Sequence, residues 1–262
     1  MIRPRLIPCL LIQNGGLVKT YQFKDPVYLG DPLNAVKIFN EKKADELIIL
    51  DINASVNNLD PNYALIKRLA GECRMPLCYG GGISKSDQAT RLVDMGVEKI
   101  AMSSAAIERP NLVEEAARSV GSQSVVVVLD IFRKSNLLGT SYQVKIHNGK
   151  VKVNADPFDL LKKFQDLGAG EIVINSISDD GVMKGYDLDF ISKITSFMNI
   201  PMTILGGAGS LEHFKELYNR IGLVGAGAGS FFVFKGKYRA VLISYPDFDK
   251  KQTLFPKKTI IK

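Results

Sequence analysis

The feature that most constrains this chain is an alternation. Short apolar runs at residues 6–11, 47–52, 76–79, 99–102, 125–131, 172–176, 202–205 and 223–226 are separated by helically patterned segments. Those segments fall at 33–40, 64–71, 88–95, 112–119, 158–167, 190–198 and 211–218. The run Val125-Val126-Val127-Val128-Leu129 has no polar interruption, the habit of a strand buried on both faces in a parallel sheet. Eight such strands with helices between them predict an α/β (βα)8 TIM barrel, because eight parallel strands close on themselves. An open doubly wound sheet is the competing arrangement.

The chain also repeats at half its length. Glu46-Leu47-Ile48-Ile49-Leu50 is echoed by Glu171-Ile172-Val173-Ile174-Asn175, and PLCYGGG from Pro76 by PMTILGGAG from Pro201. The near-constant offset predicts one barrel domain made of two fused half-barrels, about 1–122 and 123–240, with a basic tail at about 247–262. Two insertions are expected. One is a long loop over 15–31; the other is a small β-hairpin after strand 5, over 141–153, turning at Asn148-Gly149.

Composition narrows function mainly by exclusion. At 46% hydrophobic and 23% charged residues the chain is neither disordered nor fibrous. No apolar run reaches membrane-spanning length and none has the signature of a signal peptide, so a cytoplasmic protein off the membrane is expected. Cys9, Cys73 and Cys78 lack metal-ligand spacing, and His147 and His213 are isolated, so no metal site is expected. Nothing calls for a cofactor. The net charge of +7 suits an anionic substrate, while no basic stripe with interleaved aromatics points to nucleic acid. The late lysines Lys250, Lys251, Lys257, Lys258 and Lys262 read as a solvated tail.

Chemistry in such barrels gathers at the C-terminal ends of the strands. Gly80-Gly81-Gly82 ends strand 3 and Gly206-Gly207-Ala208-Gly209 ends strand 7, while Ser103-Ser104 and Gly229-Ser230 follow strands 4 and 8. Glycine lets a backbone approach an anion closely, so two cups half a barrel apart predict a substrate with two phosphates. Plain turn glycines are the bland alternative. Asp51 and Asp130 end strands 2 and 5, and Asp179 and Asp180 follow strand 6. Carboxylates facing across a barrel can supply a general acid and a general base. Asp130 is the stronger candidate; Asp51 serves equally well as a loop-holding residue. Leu11, in the matching place on strand 1, cannot move a proton. At the other end Arg5, Glu46, Lys99 and Glu171 each precede an apolar run. They form either a stabilising plug or a gate on the barrel axis.

These residues, within IPCLLIQNGGLVK, DELIILDINAS, YGGGI, GSQSVVVVLD, GAGEIVINSISDDG and GGAGS, resemble the HisF family. Its members are the cyclase subunits of imidazole glycerol phosphate synthase. The resemblance covers nearly the whole chain and implies a lyase-type cyclase. It also implies a partner, a HisH-like glutaminase docked on the N-terminal face, whose ammonia passes along the barrel axis. In histidine biosynthesis that ammonia meets phosphoribosylformimino-AICAR phosphate and yields imidazole glycerol phosphate and AICAR. By position, Arg5, Glu46, Lys99 and Glu171 match the ammonia gate. Gly81, Gly82 and Ser104, with Ser103, match one phosphate site; Gly206, Gly207 and Ser230, with Gly229, match the other. Lys19 matches the lysine of the loop over the substrate, Asp130 one of two catalytic aspartates, and Asp180 an acid after strand 6. Asn175 and Ser176 fall at the substrate end of strand 6.

The departures are as specific as the matches. Leu11 stands where the family's other catalytic aspartate falls, and Asn175 and Ser178 stand where threonine and aspartate are usual. With CYGGGI and FVFKGKYRAVLISYPD, they resemble second-copy HisF-like proteins encoded with bacterial surface-polysaccharide genes. That subgroup implies ammonia supply to a third protein, one that amidates an N-acetyl sugar.

Overall fold

The structure, a computed structural model, describes residues 4–136 and 139–255, with the side chain of Asn136 excepted. Eight parallel strands close a barrel: β1 (Leu6–Gln13), β2 (Leu47–Asp51), β3 (Leu77–Gly80), β4 (Lys99–Met102), β5 (Val125–Asn136), β6 (Glu171–Ser176), β7 (Met202–Leu205) and β8 (Gly225–Ala228). Pairing of Leu6 with Ala226 and Ile7 with Gly227 joins β8 to β1 and completes the circle. The doubly wound alternative is thereby excluded. Among the described residues no helix is long and apolar enough to cross a membrane.

Alternation along each strand sorts side chains into two cores. Outward-facing residues such as Leu6, Leu10, Ile49, Val127 and Ile172 meet the helices in one large cluster. Helix Pro32–Glu41 shows how a helix joins it. Asp31 caps its first turn by accepting from Asn34 N at 3.1 Å, and Ala35, Val36 and Phe39 form the buried stripe. Inward-facing residues make a second, smaller cluster on the axis: Ile7, Cys9, Ile48, Cys78, Ala101, Val126, Val128, Val173 and Leu205.

Several expectations need correction. The segment 15–31 is a β-hairpin: Gly16–Tyr21 folds back antiparallel on β1, and Lys24–Gly30 pairs with it. Its turn, Gln22-Phe23, sits at φ 49° and 63°, the left-handed pair of a tight hairpin turn, built without the usual Asn or Gly. Strand β5 runs on to Asn136 and pairs with Gly139–Ile146, so the second insertion begins inside a barrel strand. A short hairpin does follow, Lys145 with Lys152 and Ile146 with Val151. Its turn takes four residues, His147 to Lys150, because His147, Asn148 and Gly149 all adopt positive φ.

Strand β8 lies two residues later than its expected position and reads GAGA. A side chain on Gly225 would stand 2.0 Å from Thr203 Oγ1 and 2.9 Å from Ile7 Cδ1. Steric room inside the barrel, not β-propensity, chooses these residues. The tail is also only partly solvated. In helix Phe248–Leu254, Lys251 is buried and reaches Asp45 Oδ1 at 2.8 Å. Nearby, Tyr245 donates to Leu6 O at 2.9 Å and accepts from Asp45 N at 3.0 Å. Lys257, Lys258 and Lys262 lie outside the described residues.

The half-barrel repeat has a spatial counterpart. A Cβ on Gly81 would meet Asp51 O at 2.4 Å, and a Cβ on Gly206 would meet Ser176 O at 2.7 Å. Asp51 and Ser176 occupy equivalent ends of β2 and β6, so one close strand-to-loop approach is used twice.

Candidate functional site

At the base of the barrel, Arg5, Glu46, Lys99 and Glu171 come together in a closed ring. Arg5 bonds Glu46 through Nη1 and reaches Glu171 at 2.8 Å through Nη2; Lys99 Nζ stands 2.8 Å from both carboxylates. Thr203 Oγ1 adds a 2.6 Å donation to Glu171 Oε1. Both glutamates are buried, while the Arg5 side chain keeps 31% of its surface exposed on the outer side. Burial alone would lift the Glu171 carboxyl, but Arg5 and Lys99 hold it below the usual carboxylate range. Burial likewise opposes the Lys99 ammonium, yet Glu171 and Glu46 hold it above the ordinary lysine value. The ring sets two cations against two carboxylates.

Above it, the axial cluster from Ile7 to Leu205 is apolar. Above that opens a cavity of about 1040 Å³, including its mouth, at the C-terminal face. Cys9, Ala101, Val128 and Leu205 form its floor, and Leu11, Lys19, Asp51, Gly81, Ser103, Ser104, Asp130, Asn175, Asp180 and Gly229 line its wall. Gly82, Ser176, Gly206, Gly207 and Ser230 are not part of that wall.

The first cup is thus open to the cavity. Gly81 and Gly82 hold φ of 112° and 77°, conformations that glycine alone adopts without strain. Gly82 N is already committed to Ser55 Oγ at 3.2 Å. Ser104 Oγ accepts from His147 N at 3.0 Å and retains its own proton to donate. The second cup is set back. Gly207 O accepts from Gly185 N at 2.8 Å, and the Lys19 stem lies where a Gly229 side chain would stand, 2.9 Å away. Ser176 Oγ is spent on Asp179 at 2.6 Å. Ser230 Oγ is buried and has no hydrogen-bond partner among the described residues. An orphaned hydroxyl of that kind costs about 1–3 kcal/mol, so it marks a place suited to an incoming acceptor.

Of the acids on the wall, Asp180 is buried against Lys19, and Asp130 is equally buried with no cationic partner among the described residues. Asn175 Nδ2 donates to it at 2.8 Å and Ser103 Oγ at 3.3 Å. Burial pushes its carboxyl up to about 7; the Asn175 and Ser103 hydrogen bonds oppose the rise and nearby Asp180 adds to it. Asp130 is thereby poised to give or take a proton near neutrality. Leu11 lies on β1, across the closed sheet from β5, and faces the same cavity. Asp180 is paired with Lys19 Nζ at 2.6 Å and Thr20 Oγ1 at 2.8 Å, which docks the first hairpin onto the loop after β6. Asp51 accepts from Asn53 N at 2.9 Å and Ala54 N at 3.1 Å; it holds its own loop while lining the wall.

The raised Asp130 carboxyl has a consequence for stability. Between about pH 4 and 7 the unfolded chain has lost this proton and the native state keeps it. Stability from this residue is therefore greatest at low pH and falls as pH rises through that window. Asp130→Asn is expected to flatten this part of the urea-midpoint profile, with a gain of order 3 kcal/mol at pH 7.5 and little at pH 4.

Two groups had no herald in the sequence patterns. Arg133 bridges Asp179 and Asp187 at 2.8 Å each, with Tyr142 on Asp187 at 3.1 Å; β5 supplies it only because that strand runs on past the barrel. His147 lines the cavity and bonds Glu108. Among the described residues no three His, Cys, Asp or Glu side chains stand together as a metal site would need.

Comparison with known proteins agrees with this architecture. A family model for histidine biosynthesis proteins matches residues 5–239. A Leptospira borgpetersenii protein, provisionally assigned as imidazole glycerol phosphate synthase subunit HisF, is 57% identical over 256 residues, 98% of this chain and 100% of that protein. A Pseudomonas aeruginosa protein, provisionally assigned as subunit hisF2 of that synthase, is 48% identical over 250 residues, 95% and 98% of the two chains. Imidazole glycerol phosphate synthase subunit HisF of Campylobacter concisus is 40% identical over 230 residues, 88% and 89% of the two. The chain belongs to the histidine biosynthesis protein family, within the group formed by the imidazole glycerol phosphate synthase HisF subunits.

Proposed function

We propose that this protein is the synthase-type subunit of a glutamine amidotransferase, receiving ammonia from a HisH-like glutaminase docked at the base of the barrel. The closed ring of Arg5, Glu46, Lys99 and Glu171 beneath an apolar axis carries this reading. Ammonia is small and neutral, so it crosses an apolar layer by modest side-chain movement. Ammonium would pay the full cost of losing its hydration. The ring sorts the two forms and admits ammonia when its ion pairs part.

At the upper end Asp130 has no partner carboxylate, because Leu11 replaces it. Proton chemistry there is half dismantled, and the nitrogen is passed on for amidation of a surface-polysaccharide sugar by a third protein. Purified protein with a HisH-like glutaminase is expected to show no turnover of the phosphoribosyl substrate by absorbance assay; a healthy cyclase rate overturns this reading. The second reading is a working cyclase of histidine biosynthesis. It is favoured by one observation, the Asp130 carboxyl poised near neutrality beside an open first cup.

A further inference from the structure

We infer that His147, held by Glu108, is a ligand-contacting residue that grips the phosphate of a phosphomonoester seated against Ser104. This rests on the reading that the upper cavity still takes a phosphorylated molecule, and it adds a contact that the glycine and serine cups do not contain.

The hairpin tip that carries His147 is fastened on two sides. Its own N donates to Ser104 Oγ at 3.0 Å, and Asn148 Nδ2 donates to Ile52 O at 2.7 Å. His147 and Asn148 stand at φ 53° and 57°, strained for residues with a side chain, so these contacts hold an otherwise unfavourable turn over the cavity. The ring Nε2 lies 2.7 Å from Glu108 Oε1. A carboxylate only accepts, so Nε2 carries the proton. Nδ1 has no hydrogen-bond partner among the described residues, and His147 is part of the cavity wall.

A protonated ring therefore offers Nδ1–H, and Ser104 offers its hydroxyl proton, from neighbouring elements onto one edge of the cavity. Two convergent donors suit two oxygens of one tetrahedral phosphate. The other candidates on the wall are committed. Lys19 is bound to Asp180, Asp51 to the amides of Asn53 and Ala54, and Ser103 to Asp130. The charged groups around His147 are Glu108 on helix Ser104–Glu108, Lys145 and Lys150 on its own hairpin, and Asp51, Asp130, Asp180 and Lys19 around the cavity. Asp51 and, once ionised, Asp130 oppose an anion, while Asp180 is balanced by Lys19; an imidazole that takes up a proton on binding offsets them. Phosphate binding should accordingly draw a proton onto His147.

The chain has only two histidines, so the imidazole signal lost in His147→Gln assigns both by NMR. Titration of the wild type from pH 5 to 9, with and without saturating inorganic phosphate, is expected to raise the His147 midpoint by about one pH unit and leave His213 in place. His147→Gln is expected to weaken phosphate about tenfold, Glu108→Gln to shrink the midpoint shift, and Ser104→Ala to abolish binding. If phosphate binds in a Ser104-dependent way while the His147 midpoint stays put, the inference is wrong and the anion site stands. If millimolar phosphate perturbs no signal of the wild type, the anion site is absent and the inference falls with it.

Discussion

Leu11→Asp is expected to raise ammonia-dependent turnover of the phosphoribosyl substrate by about 10²–10⁴-fold, the usual worth of a positioned general acid or base. The reasoning is geometric. Residue 11 ends the inward-facing series of β1 and lines the cavity across the closed sheet from Asp130. An aspartate there reaches water as well as substrate, so its burial cost is modest, while Asp130 already carries the raised carboxyl that the complementary role requires. A wild-type rate near background with a large gain in the variant means that one missing carboxylate accounts for the loss. A variant as inert as the wild type would mean that the pocket itself has changed, with the recessed second cup as the first place to look.

Lys99→Ala should be the most damaging single change at the base. Glu46 and Glu171 share Lys99 and Arg5, and removing one cation leaves two buried carboxylates with a single partner. Breaking a buried ion pair from one side costs about 3–5 kcal/mol, roughly a 10 °C fall in Tm for a chain of this size. The loss should be largest near neutral pH and shrink as pH falls through the carboxylate range, because a protonated Glu171 no longer needs the partner that holds its carboxyl low. Replacing all four ring residues with apolar side chains of similar volume should recover most of that stability. A plug and a gate differ at this point. If the ring only plugs, the apolar variant transfers glutamine nitrogen as well as the wild type; if it gates, transfer stays impaired while stability returns.

Much of this architecture is legible in the amino-acid order, for physical reasons. Strands buried on both faces must be apolar without interruption, so β2 and β5 declare themselves. The ring is legible because an inward-facing charge directly before such a run lies at the base of the barrel. The exceptions share a cause: they are set by neighbours far away in sequence. Strand β8 is glycine and alanine because Thr203 and Ile7 leave no room at Gly225. The hairpin Gly16–Tyr21 with Lys24–Gly30 turns on Gln22-Phe23, residues without turn chemistry, and is held instead by Asp180. The two cups look alike in sequence, yet Gly81, Ser103 and Ser104 of the first line the cavity while Gly229 alone does so from the second, since the Lys19 stem lies against Gly229 and Gly185 against Gly207. Lys251 reads as a tail lysine but is buried on Asp45 beside the ring.

The most direct test of nitrogen entry through the base is isotopic competition. Glutamine labelled with ¹⁵N in its amide is supplied to the protein with its proposed glutaminase and acceptor, in the presence of about a tenfold excess of unlabelled ammonium, and the aminated product is analysed by mass spectrometry. The account predicts a product carrying mostly ¹⁵N with the wild-type ring, falling toward the bulk ratio when the ring is made apolar. A wild-type product already at the bulk ratio would contradict it.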